Sequence, residues 1–159
     1  MQSYGVLQTT HAKARLIDDY GHHPNEIKAV LRTVGDIWQR QRKVLIFQPH
    51  RYTRTHALFN DFCDVLNEVE ELILLKVYAA GEVPIKGADS DALSRAIRSR
   101  GRLIPVCLDD IEEVPRALNA IVRDGDVVLT MGAGSISKLH KDLIGHFSIK
   151  DFTCEEMPP

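Results

Sequence analysis

The chain has 159 residues, 44% hydrophobic and 26% charged, with a formal net charge of −2. That length fits one domain better than two and allows a sizeable core. The near balance of charge excludes a general polyanion binder, which needs a strong basic excess. No apolar run approaches the ~20 residues that span a bilayer, and the first twenty residues are too polar for a secretory signal. The three cysteines, Cys63, Cys107 and Cys154, are too widely spaced for a metal clip or a disulfide framework. Cys63 and Cys107 sit in apolar patterns and are expected as buried thiols. This cysteine usage fits a reducing, cytoplasmic setting.

Residues 1–12 lack clear periodicity and read as a lead-in or linker. Ala14-Arg15-Leu16-Ile17 is an apolar-containing run that ends in Asp18-Asp19-Tyr20-Gly21-His22-His23-Pro24. Helical spacing then links Ile27, Val30, Leu31, Val34, Ile37 and Trp38. Pro24 suits the first helical turn, where a missing N–H costs nothing. Lys43 to Phe47 reads as a buried strand, and Leu58, Phe59, Phe62, Val65, Leu66 and Val69 mark a helix. Leu72-Ile73-Leu74-Leu75 is a further strand, followed by a glycine- and proline-bearing loop over residues 76–89. Leu93, Ala96 and Ile97 suggest a helix. Leu103 to Cys107 suggests a strand, with Pro105 against it. Val114, Ala117, Leu118 and Ile121 form another helical face, Asp126 to Thr130 a strand, and Ile136, Leu139, Leu143 and Ile144 a last helix. Residues 148–159 read as a tail. Solidly apolar strands alternating with amphipathic helices predict a three-layer, Rossmann-like α/β sandwich with a mostly parallel sheet of five or six strands, spanning residues 13–147.

The chemistry gathers where strands give way to helices. Gln48-Pro49-His50-Arg51-Tyr52-Thr53-Arg54-Thr55 sets two guanidiniums, an imidazole and several hydroxyls at such a junction. In open α/β sheets ligands bind beyond the carboxyl ends of the strands, and the planar guanidinium fork suits carboxylates and phosphates. The plain alternative is a solvated turn with a helix cap. Asp18 to Pro24 places two acids, a tyrosine and two histidines at a junction of the same kind. Met131-Gly132-Ala133-Gly134-Ser135-Ile136 is a GxG, not a full dinucleotide fingerprint, and reads equally as a tight turn. Glu82 and Lys86, in the loop over 76–89, are candidates to line the same cleft. His22, His23, His50 and His56 complete no recognised metal-ligand pattern, so no metal site is expected. The chain has no GxxxxGK[ST], so any ATP triphosphate must be held mainly elsewhere.

Taken together and in order, Asp18 to Pro24, Gln48 to Thr55, Val77-Tyr78-Ala79-Ala80-Gly81-Glu82 with Gly87-Ala88-Asp89-Ser90, and Gly132 to Ile136 resemble the C-terminal domain of the Mur ligase family. The order is that of the ligases joining L-alanine to UDP-N-acetylmuramate. The resemblance runs from about Ala14 to about Ile144. It implies a three-domain, ATP- and Mg2+-dependent ligase of peptidoglycan synthesis. The first domain binds the UDP-sugar, the central one binds ATP and Mg2+, and the third binds the amino acid and closes the site. It implies that Asp19 reaches the ATP ribose. Tyr20, His22 and His50 border the amino-acid pocket. Arg51 and Arg54 serve the L-alanine carboxylate, the transferring phosphate, or both, and His22, Arg51 and Arg54 are the expected catalytic groups. The third domain alone is expected to be inactive. Two other readings remain: a related ligase that attaches a recycled peptide to the same sugar, and a non-catalytic nucleotide-binding module.

Overall fold

The computed structural model describes residues 1–101 and 103–150. The strands are β1 Gln2–Gln8, β2 Lys13–Asp19, β3 Lys43–Phe47, β4 Glu71–Leu75, β5 Val106–Leu108, β6 Val127–Met131 and β7 Ser148–Lys150. Among the described residues they form one sheet in the order β5-β4-β3-β6-β2-β1-β7. From β5 to β2 every neighbouring pair is parallel, whereas β1 runs antiparallel to both β2 and β7. The helices are α1 Pro24–Ile37, α2 Tyr52–Ala57, α3 Phe59–Leu66, α4 Ser90–Ser99, α5 Val114–Ile121 and α6 Leu139–His146.

Successive strand residues feed opposite faces, and each face has its own core. Ile17, Leu45, Phe47, Leu72, Leu74, Leu129 and Met131 pack with residues of α1, α3 and α4. Leu16, Val44, Ile46, Ile73, Leu75 and Val128 pack on the other face with residues of α5 and α6. Burying each such side chain contributes roughly 1.5–3 kcal/mol before conformational entropy is charged against it. The three-layer α/β sandwich is therefore the one expected. β3 and β6 lie side by side at the centre, yet the chain leaves β3 towards β4 and reaches β6 only by crossing back from β5. This reversal of strand order opens a crevice at their carboxyl ends.

The structure corrects the sequence reading at several points. Residues 2–8 are no lead-in but a sheet strand, with Val6 and Leu7 buried. A register shift between Ser3 and Gly5 breaks the period-two pattern that would have revealed it. The expected tail begins with β7, too short to announce itself, and among the described residues β1 and β7 extend the sheet to seven strands. Residues 151–159, with Cys154, lie outside the described residues. The helix expected around Leu58 to Val69 is α3, Phe59–Leu66, and a further short helix, α2, precedes it, the two separated at Leu58. The strand expected from Leu103 starts only at Val106, beyond Pro105. The last helix opens with a 3-10 turn, Ser135–Lys138. Cys63 is buried as expected, but Cys107 is exposed, because β5 is an edge strand with a single neighbour.

Candidate functional site

The parallel register sets the site. Asp19 of β2, Met131 of β6 and Phe47 of β3 stand abreast, and Phe47 pairs in turn with Leu74 of β4. The turns that follow these four strands therefore leave from one rim of the sheet. On that rim the two expected clusters meet. The ring centroids of His22 and His50 are 5.7 Å apart, and Tyr20 meets His22 edge-on at 5.3 Å. Arg54 Nη1 lies 3.3 Å from both Nδ1 and the carbonyl oxygen of His50.

Each cluster is held by local bonding. The first is organised by α1, whose N-cap is His23. The Asn25 amide donates to His23 Nδ1 at 3.3 Å, and Glu26 Oε2 accepts from the amides of His22 and His23 at 2.9 and 3.0 Å. These amides hold the Glu26 carboxyl below its usual range. His23 is thus committed to capping, whereas His22 is left to the cleft. His22 Nδ1 sits 3.1 Å from the Tyr20 carbonyl. A carbonyl only accepts, so this nitrogen carries a proton, and in the neutral ring the lone pair sits on Nε2. Asp19 is half-buried, and its Oδ1 accepts from the Gly21 amide at 2.8 Å.

In the second cluster Arg51 precedes α2 with φ 73 and ψ 134. Its amide donates to the Tyr78 carbonyl at 2.8 Å, and its carbonyl accepts from Thr55 Oγ1 at 2.9 Å. The Arg51 side chain is exposed and joins no ion pair among the described residues. His50 lies below the ordinary histidine value. Burial is the main cause, reinforced by the positive charge of Arg54, by His22 and by Arg51. Because a guanidinium only donates, His50 Nδ1 accepts from Arg54 and the ring proton sits on Nε2. The two imidazoles therefore carry opposite tautomers.

Three further residues build the rim, and of these the sequence singled out only Glu82 for the cleft. Gln48 is buried; its Oε1 accepts from the Ile136 amide at 3.0 Å and its Nε2 donates to Ser135 Oγ at 3.0 Å. Tyr78 stacks on His50 at 5.5 Å and 13°. Glu82 accepts from the Thr53 amide at 3.0 Å and from Thr53 Oγ1 at 2.7 Å, bonds that lower its carboxyl below the usual value. Glu82 thus lies at the cleft, as the sequence suggested, while Lys86 is simply exposed. The glycines of the GxG turn serve close packing. A Cβ at Gly132 would lie 2.9 Å from the Gln48 carbonyl oxygen, and one at Gly134 would lie 2.6 Å from Tyr78 Cγ. Two guanidiniums, two imidazoles and a half-buried carboxylate on one rim can bind a small carboxylate or phosphate and exchange a proton with it. Arg51 and Arg54 offer guanidinium donors of the kind that hold a phosphate or carboxylate at this edge. Among the described residues no group of three His, Cys, Asp or Glu is placed to hold a metal ion.

Known proteins share this frame. The fold resembles that of a UDP-N-acetylmuramate–alanine ligase from Thermotoga maritima at 24% identity and TM-score 0.65, covering 83% of this chain and 26% of that one. A domain named for a UDP-N-acetylmuramate:L-alanyl-γ-D-glutamyl-meso-diaminopimelate ligase of Haemophilus ducreyi matches at 18% identity and TM-score 0.61, covering 87% of this chain and 97% of that one. A murein peptide ligase from Psychrobacter arcticus matches at 13% identity and TM-score 0.62, covering 90% of this chain and 29% of that one. The chain thus spans about a quarter of the length of the Thermotoga enzyme. The model of the Mur ligase glutamate ligase domain matches residues 6–134, which hold most of the sheet and the Asp19, Tyr20, His22, His50, Arg51 and Arg54 of the rim, and the chain belongs to that family.

Proposed function

We propose that this chain is the amino-acid-binding domain of an ATP-dependent ligase that joins L-alanine to UDP-N-acetylmuramate through an acyl phosphate. The observation that carries the reading is the contact chain Arg54–His50–His22 on the rim that also bears Asp19. Arg54, its Nη1 fixed against His50, offers its remaining N–H groups to the L-alanine carboxylate. Arg51 is the more exposed guanidinium and supplies charge where phosphate develops and departs. ATP, with its Mg2+, supplies the activating phosphoryl group when bound, and Asp19 would receive its ribose. His22, with a free Nε2 lone pair, is placed to take the proton that the alanine amine sheds on attack. His50, with its Nε2–H, donates to carboxylate oxygen. Tyr20, 66% exposed, closes one side of the pocket. The UDP-sugar and most of the triphosphate belong to other domains of such a ligase, so this chain alone is inactive, and the setting is cytoplasmic.

The test uses the full-length ligase containing this domain, with UDP-N-acetylmuramate and ATP. Amide formation with free L-alanine in preference to the L-alanyl-γ-D-glutamyl-meso-diaminopimelate tripeptide supports the reading. Preference for the tripeptide supports the peptide-recycling alternative, and nucleotide binding with no ligation supports the non-catalytic module.

A further inference from the structure

The tyrosine that follows β4 contacts Pro49, His50 and Arg51 of the arginine turn while offering the proposed reaction no obvious chemistry. The Tyr78 amide donates to the Pro49 carbonyl at 2.8 Å, and its carbonyl accepts from the Arg51 amide at 2.8 Å. These bonds form an isolated parallel bridge between His50 and Tyr78, outside any named strand. The backbone of Tyr78 therefore grips the residues on both sides of His50, and its ring lies nearly parallel to the imidazole, 13° off at 5.5 Å. The root of the side chain, Cβ and Cγ, is seated on the glycine turn. A Cβ at Gly134 would fall 2.5 Å from Gln48 Oε1, 2.6 Å from Tyr78 Cγ and 2.7 Å from Tyr78 Cβ, closer than packed atoms approach. That turn is locked by Gln48, which reaches Ser135 and Ile136.

We propose that Tyr78 is a positioning residue that sets the plane of the His50 imidazole against Arg54, and that Gly134 is glycine in order to seat the tyrosine ring. The GxG turn is then a packing device rather than a phosphate cradle. The proposal rests on the ligase reading only for its catalytic consequence; the geometry it assigns exists in the ligand-free chain. Without the ring His50 would gain solvent and rotational freedom, and the Arg54 bond to Nδ1 would lose its fixed partner. The groups facing His50 are Arg51 and Arg54 from its own turn, His22 from the turn after β2, and Glu82 from the loop after β4. All remain in a Tyr78 variant, so a change in His50 titration reports the lost ring.

The experiment is an NMR pH titration of the His50 ring in the unliganded chain, for wild type, Tyr78→Phe, Tyr78→Leu and Gly134→Ala. The wild-type midpoint is expected below the ordinary histidine value of about 6.5. Tyr78→Leu and Gly134→Ala should both raise it towards that value, and Tyr78→Phe, which keeps the stacked ring, should restore the wild-type midpoint. A midpoint unchanged in Tyr78→Leu, or raised as much by Tyr78→Phe, overturns the proposal. If Gly134→Ala fails to fold, the phenylalanine and leucine pair alone decides it. In the full-length ligase, Tyr78→Leu should lower kcat for L-alanine ligation by about tenfold or more. If the full-length protein ligates nothing, the ligase reading fails while the titration result stands.

Discussion

Arg51 is a bulky residue held at φ 73, where side chains other than glycine are strained. Such strain, of the order of 1–3 kcal/mol, persists only where the surroundings impose it. Here the Tyr78 carbonyl and the Thr55 hydroxyl hold the backbone on both sides. Arg51→Gly should therefore raise the unfolding free energy by about 1 kcal/mol, the relief being partly offset by glycine's greater entropy loss. In the full-length ligase the same change should lower alanine kcat/KM by ~30-fold or more, because an anionic ligand loses a charged partner. Arg51→Ala should lose activity equally without the gain in stability. Urea unfolding beside ligation kinetics checks both, and a destabilised glycine variant would remove the strain argument. His50 gives a prediction of a different kind. Its folded-state value lies below its unfolded one, so between the two the unfolded chain binds a proton that the fold refuses. The stability it contributes is present above about pH 6.5 and is lost as pH falls through the folded value. Glu26 and Glu82, both lowered, lose theirs only in the more acidic carboxylate range. Urea midpoints should fall from pH 7.5 to pH 5.5 in wild type and fall less in His50→Gln; equal slopes would contradict the assignment.

The connections between strands decide how the rim is assembled, and Gln48 shows how. It sits one residue past β3, but its amide ties that turn to the turn after β6. Gln48→Leu keeps the volume and strands the Ile136 amide, at a cost of about 1–3 kcal/mol. The expected outcome is a lower urea midpoint together with shifted amide resonances from Gly132 to Ile136 and around His50. A loss of stability with those resonances unmoved would show that the two turns are not coupled. This bond also marks the limit of what the chain discloses on its own. Apolar runs such as Leu72 to Leu75 and periodic faces such as Ile27, Leu31 and Val34 identify elements because burial acts on each one locally. The clusters at Asp18–Pro24 and Gln48–Thr55 were visible because charge and imidazole concentrate within a few positions. Tyr78 and Gln48 are single polar or aromatic residues whose importance comes from partners 28 to 88 positions away, and no local pattern encodes that. β1 was hidden for a related reason: Gly5, at φ 101, carries a bulge that scrambles the alternation.

Across the whole molecule the two rims of the sheet divide the work. The carboxyl rim gathers exposed and half-buried guanidiniums and imidazoles, while the opposite rim is pinned by Arg42. Its Nε and Nη2 hold Asp126 Oδ1 and Oδ2 at 3.1 and 2.8 Å, its Nη1 reaches Glu71 at 2.8 Å, and Nη2 also donates to the Ile121 carbonyl at 2.6 Å. One side chain thus links the entry to β3 with β4, β6 and the end of α5. Asp126 is 2% exposed, so losing its guanidinium leaves a carboxylate desolvated with only the Arg123 amide, 2.8 Å away, in compensation. Breaking a buried pair from one side costs roughly 3–5 kcal/mol, mostly from the charge left behind. Arg42→Met should therefore lower the unfolding free energy by about that amount. Adding Asp126→Asn should recover part of the loss, because the orphaned charge is gone. The folded fraction of Arg42→Met should still show the wild-type His50 titration, since the network lies at the other end of the strands from His50. Arg54→Ala should do the reverse, altering that titration at little cost in stability. If Arg42→Met shifts the His50 midpoint as far as Arg54→Ala does, the sheet transmits between its rims and this division of labour is wrong.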